Sequence, residues 1–205
     1  MRGVLEMKNI FFDSIAMRRS IYTLGSTLPV SKDEVTRTVQ EAVRLTPSAF
    51  NSQSARAVIL YGDESKKLWK IVLESLLKIV PVQQASDTKA NIASFAAGAG
   101  TVLVFEDMSI IEGLQKAYPL YKDNFPLWSS HSTGMVQFAI WTALATSKVG
   151  SSLQHYSNLI EDEVKKTWDL PSSWSLIVQM PFGSIESPAE EKSFQPIEER
   201  VLVKG

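Results

Sequence analysis

The stretch from residue 132 to residue 147, STGMVQFAIWTALATS, decides how the rest of the chain has to be arranged. Its apolar residues fall on nearly every side of a helix, which predicts burial on most sides, either in a core or between subunits. Gly150 follows shortly afterwards and is expected to end the helix. A helix of this kind needs other layers around it, and the flanking sequence supplies candidates for them.

Short apolar runs on both sides of that helix predict β-strands, at residues 57–61, 101–105, 174–180 and 200–203. Helical patterns predict helices over residues 8–18, 32–46, 64–79, 82–97, 109–117 and 159–168. Ser31 and Glu34 form a capping box at the start of the second of these helices, and Pro47 is expected to stop it. Helices and strands are mixed without regular βαβ alternation, so the sequence predicts an α+β fold rather than a doubly wound sheet.

The sequence predicts two stretches without regular secondary structure. Residues 118–131, YPLYKDNFPLWSSH, are rich in aromatics and prolines and predict a flap over a pocket. Two interpretations of its aromatic side chains stay open: they fill the rim of the core, or Phe125 and Trp128 line a substrate pocket for planar acceptors. Residues 184–205 predict an extended C-terminal tail.

Length and composition limit the range of functions. The 205 residues are 44% hydrophobic and 21% charged, which is typical of one globular domain spanning residues 1–205. Residues 1–7 are a candidate extension, and a natural start at Met7 would limit it to residues 1–6. The formal net charge of −1 gives no global field for nucleic acid or for an anionic membrane.

The absence of cysteine excludes disulfides, thiolate metal sites, iron–sulfur clusters and a cysteine nucleophile. With two histidines, His131 and His155, no metal site is expected. No apolar run approaches the length of a membrane-spanning helix, and no signal peptide is apparent, so we expect a cytoplasmic protein. A Ser/His hydrolase through either histidine stays open as an alternative, because catalytic triads are spatial arrangements.

Two short motifs carry the chemistry. Arg18-Arg19-Ser20 brings together two guanidinium groups, which bind phosphate through paired hydrogen bonds, and a hydroxyl that can donate to the same oxygens. In Pro47–Gln53, PSAFNSQ, the Asn and Gln amides carry donors and acceptors that match the edge of a flat heterocycle. Separately, each has an ordinary explanation: cations at a helix C-terminus, and turn chemistry.

With these motifs, the chain resembles the FMN-dependent nitroreductase family, and most closely its short bacterial and yeast subgroup. The motifs RRS (18–20), PSAFNSQSAR (47–56), GSSLQHY (150–156) and MPFG (180–183) come in that family's order. The resemblance covers nearly the whole chain from about residue 8. It implies an intertwined homodimer with a central, mainly antiparallel sheet, flanking helices, and two FMN sites at the subunit interface. It also implies ping-pong transfer of electrons from NAD(P)H to small electron-poor acceptors such as nitroaromatics and quinones.

The resemblance assigns cofactor contacts residue by residue. Arg18 and Ser20 would hold the FMN phosphate, and Arg19 would lie beside the ring and its ribityl chain. Asn51, Ser52 and Gln53 would meet the ring edge and the ribityl hydroxyls. Gln154 and His155 would bring backbone N–H groups to the flavin N5.

Further assignments fall where this sequence departs from the family pattern. Lys192 and Arg200 are both candidates for a C-terminal phosphate contact, because Phe194 interrupts the usual basic pair. Tyr22 stands where many relatives carry a basic residue near the pyrimidine end of the flavin. No side chain is assigned as a catalytic acid, base or nucleophile, since the cofactor carries the hydride chemistry. An FMN-binding sensor or storage protein with little turnover is an alternative.

Overall fold

The structure is a computed structural model that describes residues 9–205. Its central element is a β-sheet whose strands differ in length. The candidate extension at residues 1–7 lies outside the described residues. The strands are β1 (Leu24–Gly25), β2 (Ala55–Tyr61), β3 (Gly100–Asp107), β4 (Gly150–Ser151) and β5 (Trp174–Ile185). They are ordered β1-β5-β3-β2, β4 also pairs with β5, and all these pairings are antiparallel.

Helices cover both faces of this sheet. In the described part of the chain they are α1 (Ile10–Met17), α2 (Lys32–Leu45), α3 (Asp63–Leu76), α4 (Ala85–Ala96), α5 (Met108–Ala117), α6 (Phe125–Thr146) and α7 (Ser157–Thr167). None of these helices has the length and apolar character needed to cross a bilayer.

The core lies on the two faces of β3, a strand in which every residue is buried. Val102 and Val104 belong to the cluster that packs under α2 and α6. Leu103 and Phe105 point the opposite way, into the cluster formed with α3, α4 and α7. The period of two along a strand therefore produces three layers, helices on either side of the sheet. This arrangement confirms the predicted α+β class with a mainly antiparallel sheet flanked by helices.

The start of α2 follows the predicted capping. The Ser31 hydroxyl accepts a hydrogen bond from the Glu34 backbone N–H at 3.2 Å. Such a cap satisfies one of the amide groups that a helix leaves unpaired at its N-terminus.

The predicted flap is wrong over its second half, because α6 begins at Phe125 and not at residue 132. Pro126 stands in the first turn of that helix, where a missing N–H costs no hydrogen bond. The proline therefore starts the helix instead of breaking it. What remains irregular is the segment 118–124, with one short 3-10 turn at Pro119–Tyr121.

The predicted strand at residues 200–203 is also wrong. After β5 the chain runs on without a strand, and one 3-10 turn lies at Ile197–Glu199. Val201, Leu202 and Val203 are 59%, 74% and 89% exposed. An apolar run alone does not make a strand, because a strand also needs a partner edge, and no strand among residues 9–205 pairs with this run.

One side of α6 is apolar and open to solvent within a single chain. Ile140 and Leu144 are fully buried, but Met135 and Phe138 are 43% and 38% exposed. With Phe11 of α1 and other residues of α2, they line a shallow cavity of about 730 Å³. Burial of this helix on most sides is thus not completed by its own chain.

Candidate functional site

A cavity whose lining includes three basic side chains, several hydroxyls and the acidic residues Glu190 and Glu191 lies where α1 leads into β1. It measures about 680 Å³, a size usual for small-molecule sites. We call it the arginine cavity; its lining comprises Arg18, Arg19, Ser20, Tyr22, Thr23 and residues 187–193. The structure thus brings together four of the cofactor residues predicted from the N-terminal motif with Lys192 of the C-terminal tail.

The two arginines of this cavity have no carboxylate partner. Within residues 9–205, neither Arg18 nor Arg19 takes part in an ion pair. Partial burial, and then the neighbouring charge of Arg19, lower the pKa of Arg18 from its usual value. Arg19 donates a hydrogen bond to the backbone carbonyl of Glu190, which ties the tail to the cavity. Two adjacent, unneutralised guanidinium groups form a site suited to a doubly charged anion such as a phosphate.

Trp141 of α6 positions Arg18. The guanidinium carbon lies 4.2 Å from the centroid of the indole ring, which is a cation–π arrangement. The Trp141 Nε1–H donates to the Ser151 carbonyl at 3.1 Å, and the Ile21 N–H donates to the same oxygen at 3.0 Å. One carbonyl of β4 therefore connects the long helix to the Arg-Arg-Ser segment. Sequence reasoning missed Trp141, because nothing in its local pattern connects it with an arginine so far away along the chain.

The second predicted motif forms a loop with an unusual backbone, here called the 48–53 loop. Phe50, Asn51 and Gln53 have φ values of 55°, 50° and 47°. Residues with a side chain rarely adopt this left-handed region, at a cost of about 1–3 kcal/mol each. Asparagine tolerates it best, so the strain is concentrated at Phe50 and Gln53.

Several hydrogen bonds hold the backbone of the 48–53 loop in this conformation. The Gln53 N–H donates to the Ser48 hydroxyl at 2.9 Å, and the Ala49 N–H donates to the Ser132 hydroxyl of α6 at 3.2 Å. Arg56 donates from Nη1 to the Gln53 carbonyl at 2.8 Å. The exposed Asn51 and Gln53 side chains make no hydrogen bond among the described residues. Their amides are therefore available to a ligand.

Asp107 fixes Arg56 at the end of the loop. Arg56 Nη2 lies 3.0 Å from Asp107 Oδ2, and the Ser109 and Ser173 hydroxyls donate to Asp107 Oδ1. Burial acts to raise the pKa of Asp107, but these hydroxyls and the Arg56 charge outweigh it, so the pKa lies below its usual value. The carboxylate is thus held ionised, and it orients the guanidinium that binds the loop.

The Phe50 ring lies in an aromatic cluster with the segment that leads into α6. Its centroid is 5.0 Å from Tyr118, 5.2 Å from Phe125 and 6.2 Å from Tyr121. It stacks on Trp128 at 6.0 Å with an interplanar angle of 16°. Phe125, predicted as a pocket residue, is 1% exposed within the chain, whereas Trp128 is half-buried.

The remaining predicted residues lie elsewhere. The Gln154 N–H donates to the Gln179 carbonyl at 2.8 Å, so it is already used, while the His155 N–H has no partner among the described residues. Ser52 is half-buried, and its hydroxyl pairs with that of Ser54 at 3.2 Å. Arg200 is exposed and is not part of the arginine cavity lining.

Within one chain, no residue of the 48–53 loop lines the arginine cavity. The residues that suit a phosphate are together, and the residues that suit a heterocycle are together. A single chain does not join the two groups into one pocket.

A second cavity of about 650 Å³ lies between α3 and α7. Its lining includes Glu74, Glu161, Asp162 and Glu163, which would repel a phosphate, and it contains none of the predicted site residues. In the described part of the chain, no group of potential ligands comes together that could hold a metal ion. No serine hydroxyl of that part is hydrogen-bonded to His131 or His155, so the hydrolase alternative finds no support in the geometry.

Comparison with known proteins agrees with the fold and shows the family. Residues 15–184 match the model of the nitroreductase family. The chain is 36% identical over 186 residues to the nitroreductase FRM2 of Saccharomyces cerevisiae, covering 90% of this chain and 92% of that protein.

Solved structures show the same likeness. Nitroreductase CinD from Lactococcus lactis, solved in complex with chloramphenicol, is 43% identical, with a TM-score of 0.87 over 95% of this chain and 100% of that one. The same protein has been solved with 4-nitrophenol. A Desulfovibrio desulfuricans protein solved with FMN is 18% identical, with a TM-score of 0.70 over 97% of this chain and 99% of that one, a likeness that shows the fold alone.

Proposed function

The chain belongs to the nitroreductase family, and we propose that it is an FMN-dependent oxidoreductase. Bound FMN would supply the hydride chemistry, passing electrons from NADH or NADPH to small electron-poor acceptors in a ping-pong cycle. The observation that carries this proposal is the arginine cavity, in which Arg18 and Arg19 lie together without a carboxylate partner. The Ser20 hydroxyl and the Lys192 ammonium in the same lining complete a set of donors suited to a phosphate.

The 48–53 loop supplies the chemistry for the other end of FMN. Asn51 and Gln53 offer exposed amide donors and acceptors with no hydrogen bond among the described residues. The edge of the isoalloxazine ring alternates N–H and C=O groups, which such amides match. The His155 N–H, which is also without a partner in the described chain, is a further donor for the ring. The residues present therefore fit FMN at both ends.

We propose that two copies of the chain complete each site, one supplying the arginine cavity and the other the 48–53 loop. Apolar side chains that a partner would cover are exposed in one chain: Met135 and Phe138 on the open side of α6, and residues 201–203 of the tail. Obligate dimers bury large apolar interfaces of this kind.

Nitroaromatics and quinones are the proposed acceptors. The relative CinD has been solved with 4-nitrophenol, which supports an aromatic nitro compound as a substrate class here. Tyr22, 58% exposed in the arginine cavity, brings a neutral side chain to a position for which the family resemblance implies a basic one. A neutral group there stabilises negative charge on the cofactor less than a cation would.

The test begins with the absorbance spectrum of the purified protein and a titration of the apoprotein with FMN. We expect a yellow protein, about one FMN per chain, and oxidation of NADH or NADPH that depends on added 4-nitrophenol or quinone. A colourless protein that ignores added FMN in a thermal-shift assay would exclude the proposal. Stopped-flow mixing with the two nicotinamides separates an enzyme from an FMN sensor or store, since a store would be reduced slowly or not at all.

A further inference from the structure

The strained backbone of the 48–53 loop needs interactions that hold it in place. Three of its four last positions, Phe50, Asn51 and Gln53, have positive φ. Such conformations persist only where the surroundings over-determine them, and they concentrate at functional sites. Because the Asn51 and Gln53 side chains make no hydrogen bond in the described chain, they do not themselves offset the strain.

The Phe50 side chain packs against a cluster of aromatic rings. It is 49% exposed, yet it contacts four aromatic rings from the segment around the start of α6. Its nearly parallel stack on Trp128 continues into an edge contact between Trp128 and Phe125 at 5.5 Å. Phe125 is 1% exposed, so the stack rests on the core. Because Phe50 is half-exposed, its ring contributes little to the stability of that core. Its contacts instead hold the 48–53 loop against the start of α6.

We infer that Phe50 is a positioning residue for the cofactor, and that Trp128 acts through it. The stacked rings hold the 48–53 loop in the left-handed conformation, which presents the Asn51 and Gln53 amides to the flavin ring. This rests on the proposed function. It gives Trp128 the task of holding the loop, in place of the acceptor-pocket role expected from the sequence.

Binding of two flavins tests the inference, because FMN and riboflavin share the ring and differ in the phosphate. A loop that meets the ring affects both ligands alike. Offset aromatic pairs of this kind contribute enough that losing one should weaken binding of both flavins by about fivefold. The Phe50→Ala and Trp128→Ala variants should each show this loss, and the melting temperature of the apoprotein should change little in Phe50→Ala, because that side chain is 49% exposed.

A double-mutant cycle and a rescue show whether the two rings act as one unit. Since each variant breaks the same stack, Phe50→Ala with Trp128→Ala should bind no more weakly than the worse single variant. Phe50→Tyr keeps the ring and should bind within about twofold of the wild type. Ile79→Ala, which removes a 62% exposed apolar side chain outside both regions, is the matched control and should bind as the wild type does.

Dissociation constants for both flavins are read from quenching of flavin fluorescence on apoprotein. Equal losses for FMN and riboflavin, non-additivity and rescue by tyrosine support the inference. Unchanged constants in Phe50→Ala, or losses that add in the double variant, would overturn it while leaving the proposed function intact. A wild-type protein that binds neither flavin would overturn both.

Discussion

The arginine cavity and the 48–53 loop prepare for a ligand in opposite ways. Arg18 follows α1 with an ordinary extended backbone, at φ −72° and ψ 117°, and its long side chain is placed by the Trp141 ring. Phe50 and Gln53 lie in left-handed backbone, which is held from several sides. A guanidinium on a long stem can reach a phosphate from an unstrained segment. The direction of a short amide side chain is set mainly by the backbone. In the proposed site, the backbone strain therefore falls on the loop that contacts the heterocycle.

This difference gives each region its own signature. Defects in the arginine cavity should weaken FMN and spare riboflavin, because only FMN carries the phosphate. Defects in the 48–53 loop should weaken both flavins alike. Variants in each region test whether the two flavins are affected in this way.

Arg18→Ala should have the largest effect. A hydrogen bond to a charged group contributes about 1.5–3 kcal/mol, so FMN affinity should fall by about tenfold or more. Riboflavin affinity should stay within about twofold of wild type, since that interaction is with the phosphate. Arg44→Ala is the matched control, because that arginine is exposed and already paired with Glu41. Equal losses for both flavins in Arg18→Ala would contradict the assignment of the cavity to the phosphate.

Trp141→Leu should weaken FMN binding as Arg18→Ala does, but by a smaller factor. The cation–π contact is expected to contribute about 0.5–2 kcal/mol, so FMN should bind several-fold more weakly while riboflavin is little affected. Trp141→Phe keeps a ring under Arg18 but removes the Nε1–H bond to Ser151, so it should retain most of the FMN affinity. If Trp141→Phe loses as much as Trp141→Leu, the hydrogen bond and not the stack positions Arg18.

Asp107→Asn tests the support of the loop and should have the smallest effect on binding. The pKa of Asp107 is lowered in the folded chain, so its carboxylate contributes stability at neutral pH that is lost as the pH falls through that lowered pKa. The variant should melt about 2–4 °C below wild type at pH 7. This gap should begin to narrow below about pH 4, where the carboxyl of the unfolded chain takes up a proton, and it should close as the pH falls through the lowered pKa of the folded chain. Melting curves from pH 7 to pH 3 measure it, and a gap that is constant with pH would contradict the role of the charge.

The sequence predicted a helix cap and two strands correctly, because these features depend on residues close together along the chain. The capping serine Ser31 was identified because a cap requires only residues a few positions apart. The strands at 57–61 and 101–105 were identified because continuous apolar runs mark buried strands. The start of α6 was missed because Pro126 suits the first turn of a helix as well as a loop.

The candidate site could be predicted in its residue types but not in its supports. Arg18 and Asn51 stand in recognisable motifs, and their chemistry can be read from the side chains. The contact of Arg18 with Trp141 and the stack of Phe50 on Trp128 join residues that only the folded chain brings together. The positive φ of Phe50 could not be foreseen either, because phenylalanine has no intrinsic preference for that region.

The central claim is that each site takes its arginine cavity from one chain and its 48–53 loop from the other, and a mixed dimer tests it directly. One chain carries Arg18→Ala and the other carries Gln53→Ala, with different tags so that the heterodimer can be isolated. If the halves come from different chains, one site has both defects and the other has none. Titration should then find one FMN site of wild-type affinity per heterodimer, although each parent homodimer has none. A heterodimer without any site of wild-type affinity would contradict the account, because it would place both halves of each site in the same chain.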